Sequence, residues 1–258
     1  MPFVKTDNAN IYYIEQGSGD PVMLIHGNWS TSSWWEPVLA RLPDNLRGIA
    51  YDVRGRGQTT ISAGDYSIQT LASDLRDFAD ALKLDHFHLV GHSLGSAIAM
   101  QFALDHPGYV RSLTALSPSW VDGMPADYNM PDGHRAFKAD RELLRQALKA
   151  VAPSVPDDAF WQRLVTEGFE QDMDATIETL NTLQDWQPGD QVREIAVPKL
   201  VVGGEQDLLT GGAVAVRAAE ALGARHVVLP DIGHSPNIEA PDVFVQLLIE
   251  HFATTKTN

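Results

Sequence analysis

Gly91-His92-Ser93-Leu94-Gly95 sets a serine between two glycines, where an apolar run gives way to a helical pattern. A serine placed so can act as a nucleophile. A tight strand-to-helix turn projects the hydroxyl away from the backbone, and such a turn needs small residues on both flanks. A helix beginning at Leu94 would aim its free N–H groups and positive dipole end at any negative charge that develops there. The bare pattern also occurs as an ordinary glycine-rich connection, so it gains weight only from its companions.

A serine hydroxyl needs a base. Of the nine histidines, His234 follows the last predicted strand and precedes the last predicted helix, in Asp231-Ile232-Gly233-His234-Ser235-Pro236. His26, His86, His88 and His92 lie in or beside predicted strands, where a packed, hydrogen-bonded role is expected. His106 and His134 sit at a helix end and in a helical insertion, with no evident partner. His226 starts a strand, and His251 falls in the terminal helix.

The imidazole in turn needs a carboxylate to fix its tautomer. Asp207 follows the run Lys199–Val202 and gives the chain order Ser93, Asp207, His234. Asp122 and Glu205 are the competing acids. Two backbone donors must face the oxygen that becomes negative in a tetrahedral state. Leu94 N–H is one candidate, and Asn28 N–H, in the turn after Pro21–His26, is the other. Trp29 and Trp120 are expected at the pocket, with plain packing as the competing role for each.

These residues need a scaffold. Strands are predicted at Asn10–Gln16, Pro21–His26, Leu46–Tyr51, His86–Val90, Val110–Leu116, Lys199–Val202 and Arg225–Leu229. Helices are predicted between them at Ser33–Leu42, Ser67–Leu84, Leu94–Asp105, Gly212–Leu222 and Asp242–Phe252. Strands separated by helices imply a mostly parallel central sheet with helices on both faces, an α/β fold with its ligands at the carboxyl ends of the strands. From Pro118 to about Ile195 the alternation stops, and helices are predicted at Arg135–Val151, Asp157–Phe169 and Met173–Leu183. The expected organisation is a core of residues 1–117 and 196–258, with a helical lid of residues 118–195. Most lid aromatics are expected to build the lid's own core.

The chain has 258 residues, 44% of them hydrophobic, and a formal net charge of -15. That charge disfavours nucleic-acid phosphates and anionic membrane surfaces, and it is read as solubility. The absence of cysteine removes thiolate nucleophiles, disulfides and Cys-ligated zinc. No His-Glu-x-x-His pair suggests a metal, and no cofactor is expected. No apolar h-region opens the chain and no stretch is long enough to span a bilayer, so a cytoplasmic protein acting on a small molecule is expected.

In order, His26-Gly27-Asn28, Asp52-Val53-Arg54-Gly55-Arg56-Gly57, Gly91 to Gly95, and Gly233-His234 with Glu239-Ala240-Pro241 resemble the motifs of the α/β-hydrolase fold superfamily. The likeness spans nearly all of the chain outside the lid. It implies a serine hydrolase acting on an ester, lactone or thioester of a small to medium, mainly apolar substrate through an acyl-enzyme. Ser93 departs from the aspartate of the similar haloalkane dehalogenases and epoxide hydrolases, although Asn28 is reminiscent of the former. Leu94 departs from the methionine usual in cofactor-free haloperoxidases. Enol-lactonases and small carboxylesterases resemble the chain best. A carbon–carbon bond hydrolase, a cofactor-free oxygenase and a ligand receptor on the same fold are the competing readings. The Asp52–Gly57 segment lacks phosphate-loop spacing and is read as a tight structural loop below the pocket.

Overall fold

A computed structural model describes residues 3–61 and 64–257 of the chain. Its strands are β1 (Phe3–Lys5), β2 (Ala9–Gly17), β3 (Asp20–Ile25), β4 (Leu46–Tyr51), β5 (Thr60–Ile61), β6 (Phe87–His92), β7 (Val110–Leu116), β8 (Lys199–Gly204) and β9 (Arg225–Leu229). They form one sheet in the order β1-β2-β4-β3-β6-β7-β8-β9, with β5 paired to β2. From β4 to β9 every neighbouring pair is parallel, and β1, β2 and β5 add an antiparallel end. The chain thus winds outward in both directions from β3, which puts the ends of β3 and β6 side by side at the centre of one edge.

The helices are α1 (Glu36–Leu39), α2 (Ile68–Ala81), α3 (Leu94–Asp105), α4 (Pro131–Ala139), α5 (Arg141–Val151), α6 (Ala159–Glu170), α7 (Met173–Asp185), α8 (Gly211–Leu222), α9 (Pro236–Glu239) and α10 (Pro241–Ala253). Alternate side chains of the central strands serve opposite layers. Met23, Ile25, Leu89 and Val201 pack in one core with residues of α2, α3 and α8. Val22, Leu24, Val90 and Val202 pack in the other with residues of α1 and α10. Strands buried on both faces read as continuous apolar runs, which is why they were legible.

Helix α2 starts at Ser67, whose hydroxyl accepts from Thr70 N–H. Asp158 and Asp172 cap α6 and α7 in the same way. The expected helix Arg135–Val151 is broken in two. Asp140 leaves helical geometry (φ −135°) and its carboxylate caps the amides of Glu142 and Leu143. The expected helix Ser33–Leu42 is a 3₁₀ turn over Ser32–Trp35 followed by the single turn α1. Strands β1 and β5 and helix α9 were not foreseen.

Between β7 and β8 the described residues form α-helices and 3₁₀ turns and no strand. Trp161, Leu144, Leu148, Leu164 and Val165 of this segment share a third apolar cluster with Trp29 and Trp34 from the loop after β3. Trp186 instead joins the core beneath the sheet, where its indole N–H donates to Gln101 on α3 at 2.9 Å. The segment is tied down by polar contacts too. Thr31 and Ser33 hydroxyls donate to Glu167 (2.6 and 3.1 Å), and Gln171 Nε2 donates to Ser30 O (2.9 Å).

Candidate active site

Ser93 sits between β6 and α3 with φ 53° and ψ −120°, a conformation that L-residues rarely adopt. Sterics show why the glycines flank it. A Cβ on Gly91 would collide with the carbonyl of Gly95, and a Cβ on Gly95 would lie 2.7 Å from His26 O. Both obstacles are backbone, so neither can step aside. Ser93 N–H donates to Leu116 O at 2.9 Å, and its carbonyl accepts from the hydroxyls of Ser96 (2.6 Å) and Ser119 (2.8 Å). The strained turn is therefore held from β7 and from α3. Leu94 is the first residue of α3, so its N–H has no acceptor within the helix.

His234 lies in the loop between β9 and α9 and is 3% exposed. Its Nδ1–H donates to Asp207 Oδ2 at 2.8 Å. Asp207 also accepts from Leu209 N–H and Thr210 N–H through Oδ1 (2.8 and 3.0 Å) and from Thr210 Oγ1 through Oδ2 (2.8 Å). Burial opposes the charge on Asp207, but the His234 contact and the Thr210 donors outweigh it and hold the carboxyl well below the usual range. The loop is fixed on three sides. His234 N–H donates to Val151 O at the end of α5 (2.7 Å), and Glu239 accepts from Gly233 and Ser235 N–H (3.1 and 3.0 Å). His92 Nε2–H donates to His234 O at 2.9 Å. Burial, then the neighbouring His234, pushes His92 down to about 3, so it is a neutral strut between elbow and histidine loop.

His234 Nε2 is buried and has no hydrogen-bond partner among the described residues. Ser93 and His234 line one cavity of about 530 Å³ without a hydrogen bond between them. Such contacts are often long until substrate is bound. The competing acids lie elsewhere. Asp122 is in a bidentate pair with Arg217 (2.7 and 2.8 Å) on the surface, and Glu205 is exposed and accepts from Asp231 N–H.

The turn after β3 presses against the elbow, since a Cβ on Gly27 would lie 3.1 Å from Ser93 Cβ. Asn28 follows and lines the same cavity. Its side-chain oxygen accepts from Arg56 at 2.6 Å. His26 braces the turn from behind. Its Nε2 accepts from Val53 N–H (2.9 Å), and its Nδ1–H donates to Gly27 O (2.7 Å). Burial pushes it down to about 3 and keeps it neutral. The Asp52–Gly57 loop is a brace of the same kind, with Asp52 accepting from Ser32 and Gln58 N–H and Arg54 paired with buried Asp74 at 2.6 Å.

Trp29 and Trp120 both line the cavity, where Trp120 packs against Tyr128 with the rings tilted by 56° and their centroids 4.9 Å apart. Arg56 was overlooked by the sequence reading. It is 1% exposed, has no carboxylate partner among the described residues, and burial pulls its guanidinium down to about 10. Nothing in the spacing of the glycine-rich loop indicated that its second arginine would reach Asn28. Among the described residues no cluster of three or more His, Asp or Glu is arranged to hold a metal. No helix among them is long and apolar enough to cross a membrane.

The family model described as "alpha/beta hydrolase fold" matches residues 20–241. The chain belongs to the α/β-hydrolase fold family. A Rhizobium rhizogenes protein named "Putative carbamate hydrolase RutD" is 29% identical over a 250-residue alignment that covers 91% of this chain and 93% of that one. A solved structure titled as Est816, an N-acyl homoserine lactone degrading enzyme, is 29% identical with a TM-score of 0.80, covering 96% of this chain and 99% of that one. An esterase from Exiguobacterium antarcticum superposes with a TM-score of 0.85 at 24% identity over 97% and 98% of the two chains, a likeness of fold alone. Hydrolytic activity is supported by this family and these relatives.

Proposed function

We propose that this hydrolase works through Ser93, with His234 as base and Asp207 as its orienting acid, and that it cleaves esters, lactones or thioesters of small to medium, mainly apolar compounds. The observation that carries the reading is the 2.8 Å bond from His234 Nδ1–H to Asp207 beside a strained serine in one cavity. That bond leaves Nε2 with its lone pair free for a proton. In this reading the Ser93 hydroxyl, in the same cavity, gives its proton to that atom. Oγ then attacks the carbonyl carbon as His234 takes the proton, and the Asn28 and Leu94 amides hold the oxyanion. His234 returns the proton to the leaving group, and water activated by the same base releases the acid.

The carbonyl class is supported by relatives named for carbamate hydrolysis and for N-acyl homoserine lactone degradation, since carbamates and lactones both present a carbonyl carbon to a nucleophile. Trp29, Trp120, Met124 and Leu180 give the cavity apolar walls, which suits an apolar acyl or alkyl group. The helices of residues 118–195 act as its lid. Ser93→Ala tests the proposal on a panel of p-nitrophenyl esters and lactones. The expected loss in kcat is ~10⁴-fold or more, with fluorophosphonate labelling abolished. Turnover surviving at a tenth of the parent rate would sink the serine mechanism.

A further inference from the structure

Trp29 follows Asn28 directly, and its backbone is held at φ 57°, in the left-handed region. That conformation turns the indole along the cavity wall toward α4. There its Nε1–H donates to His134 Nδ1 at 3.3 Å, and the two rings stack with centroids 5.8 Å apart and planes 28° apart. An indole nitrogen can only donate, so Nδ1 must carry a lone pair. A neutral imidazole with its lone pair on Nδ1 carries its proton on Nε2. Burial disfavours the charged ring and lowers the His134 pKa, and the Trp29 donor selects the tautomer of the neutral ring.

His134 Nε2 is buried and meets no acceptor among the described residues. His134 lines the same cavity as Ser93 and His234, and its ring lies 6.1 Å from that of Phe137, which also lines it. A buried N–H without an acceptor is costly, and a site with such a donor discriminates strongly for ligands that supply the acceptor. Trp29 links His134 to the Asn28 turn, and His134, Asn28 and Ser93 line one cavity, so an acceptor for Nε2 and the carbonyl that reacts would share that cavity.

We propose that His134 is a specificity-determining donor, and that the preferred substrate carries a second carbonyl oxygen, of an amide or ketone, near the carbonyl attacked by Ser93. Trp29 is the residue that sets its tautomer. This rests on the reading of the cavity as the site of ester cleavage.

The test compares p-nitrophenyl N-acetylglycinate with p-nitrophenyl pentanoate, acyl chains of equal length of which only the first has the second carbonyl. The parent enzyme is expected to prefer the acetylglycinate in kcat/KM. His134→Leu should lower kcat/KM for the acetylglycinate by roughly ten- to a hundredfold, mainly through KM, and move the pentanoate less than about threefold. His134→Gln, which places an amide N–H near the position of Nε2, should restore most of the preference. Thermal unfolding of both variants confirms that they are folded. No preference in the parent, an equal loss on both esters in His134→Leu, or failure of Gln to restore it overturns the donor role. No hydrolysis of either ester by the parent overturns the hydrolase reading and the inference with it.

Discussion

Asp207→Asn is the perturbation whose outcome the geometry dictates most closely. Oδ1 accepts two main-chain amides, Leu209 and Thr210, at 2.8 and 3.0 Å. Oδ2 faces Thr210 Oγ1 and His234 Nδ1. An asparagine has one oxygen for the two, and the pair of fixed amides claims it. The NH₂ group then occupies the Oδ2 position and points at His234 Nδ1. It can only donate, so Nδ1 must become the acceptor and the imidazole proton moves to Nε2. The base then faces Ser93 with a proton where its lone pair should be. The expected loss in kcat is ~10⁴-fold, or about 5.4 kcal/mol of transition-state stabilisation. The assay is steady-state hydrolysis of a p-nitrophenyl ester at neutral pH, with fluorophosphonate labelling as a check on the nucleophile. Circular dichroism establishes that the variant is folded. If Asp207→Asn kept more than about a tenth of kcat, the tautomer argument and the role of Asp207 would both be refuted.

Arg56→Met removes a buried cation and frees Asn28 Oδ1, so kcat should fall roughly tenfold as the oxyanion turn loosens, while the urea midpoint moves little because the lost hydrogen bonds to Asn28, Gly55 and Thr179 are offset by relief of a buried charge that has no carboxylate partner among the described residues. An unchanged kcat would show that Arg56 does not hold the turn. Gly91→Ala drives a Cβ into the Gly95 carbonyl, and a cost of ~2–3 kcal/mol should lower Tm by about 5–10 °C with loss of activity; a melt matching the parent would mean that the elbow can relax. His26 and His92, both pushed down to about 3 by burial, resist protons that the unfolded chain accepts below about pH 6.5. Their stabilisation is complete above that pH and is lost as pH falls toward 3. Unfolding free energy should therefore drop by up to about 1.4 kcal/mol per pH unit per histidine between pH 6 and 5, and His92→Gln should remove one histidine's share of the slope. Urea titrations at fixed pH values read this directly, and an equal slope in His92→Gln would refute it.

The strand and helix alternation was open to sequence reading because it is written in neighbouring residues. Val22 to Ile25 and Leu89 to Gly91 are apolar on both faces, and a strand buried on both sides must be. Helix α3 could be bounded on both ends, by the turn at Ser93 and by Pro107. Strands β1 and β5 escaped because each is short and is defined by pairing with β2. The break at Asp140 escaped because helical spacing of apolar residues continues across it, and only the capping geometry reveals the change of direction.

Sequence order alone placed Ser93, Asp207 and His234 in loops after separate strands, and it named the elbow through two glycines that sterics require. It left Asp122, Glu205 and Asp207 as competing acids. Of the three, Asp207 is the one that the tertiary structure brings within hydrogen-bonding distance of the His234 imidazole, at 2.8 Å, a fact about distance in space. The same holds for Arg56 against Asn28 and for Trp29 against His134, pairs separated by 28 and 105 positions. Local pattern reports which backbone a residue prefers and which face it buries. Proton positions and polar partners depend on which distant side chains the folded sheet edge brings together, and that information has no local signature.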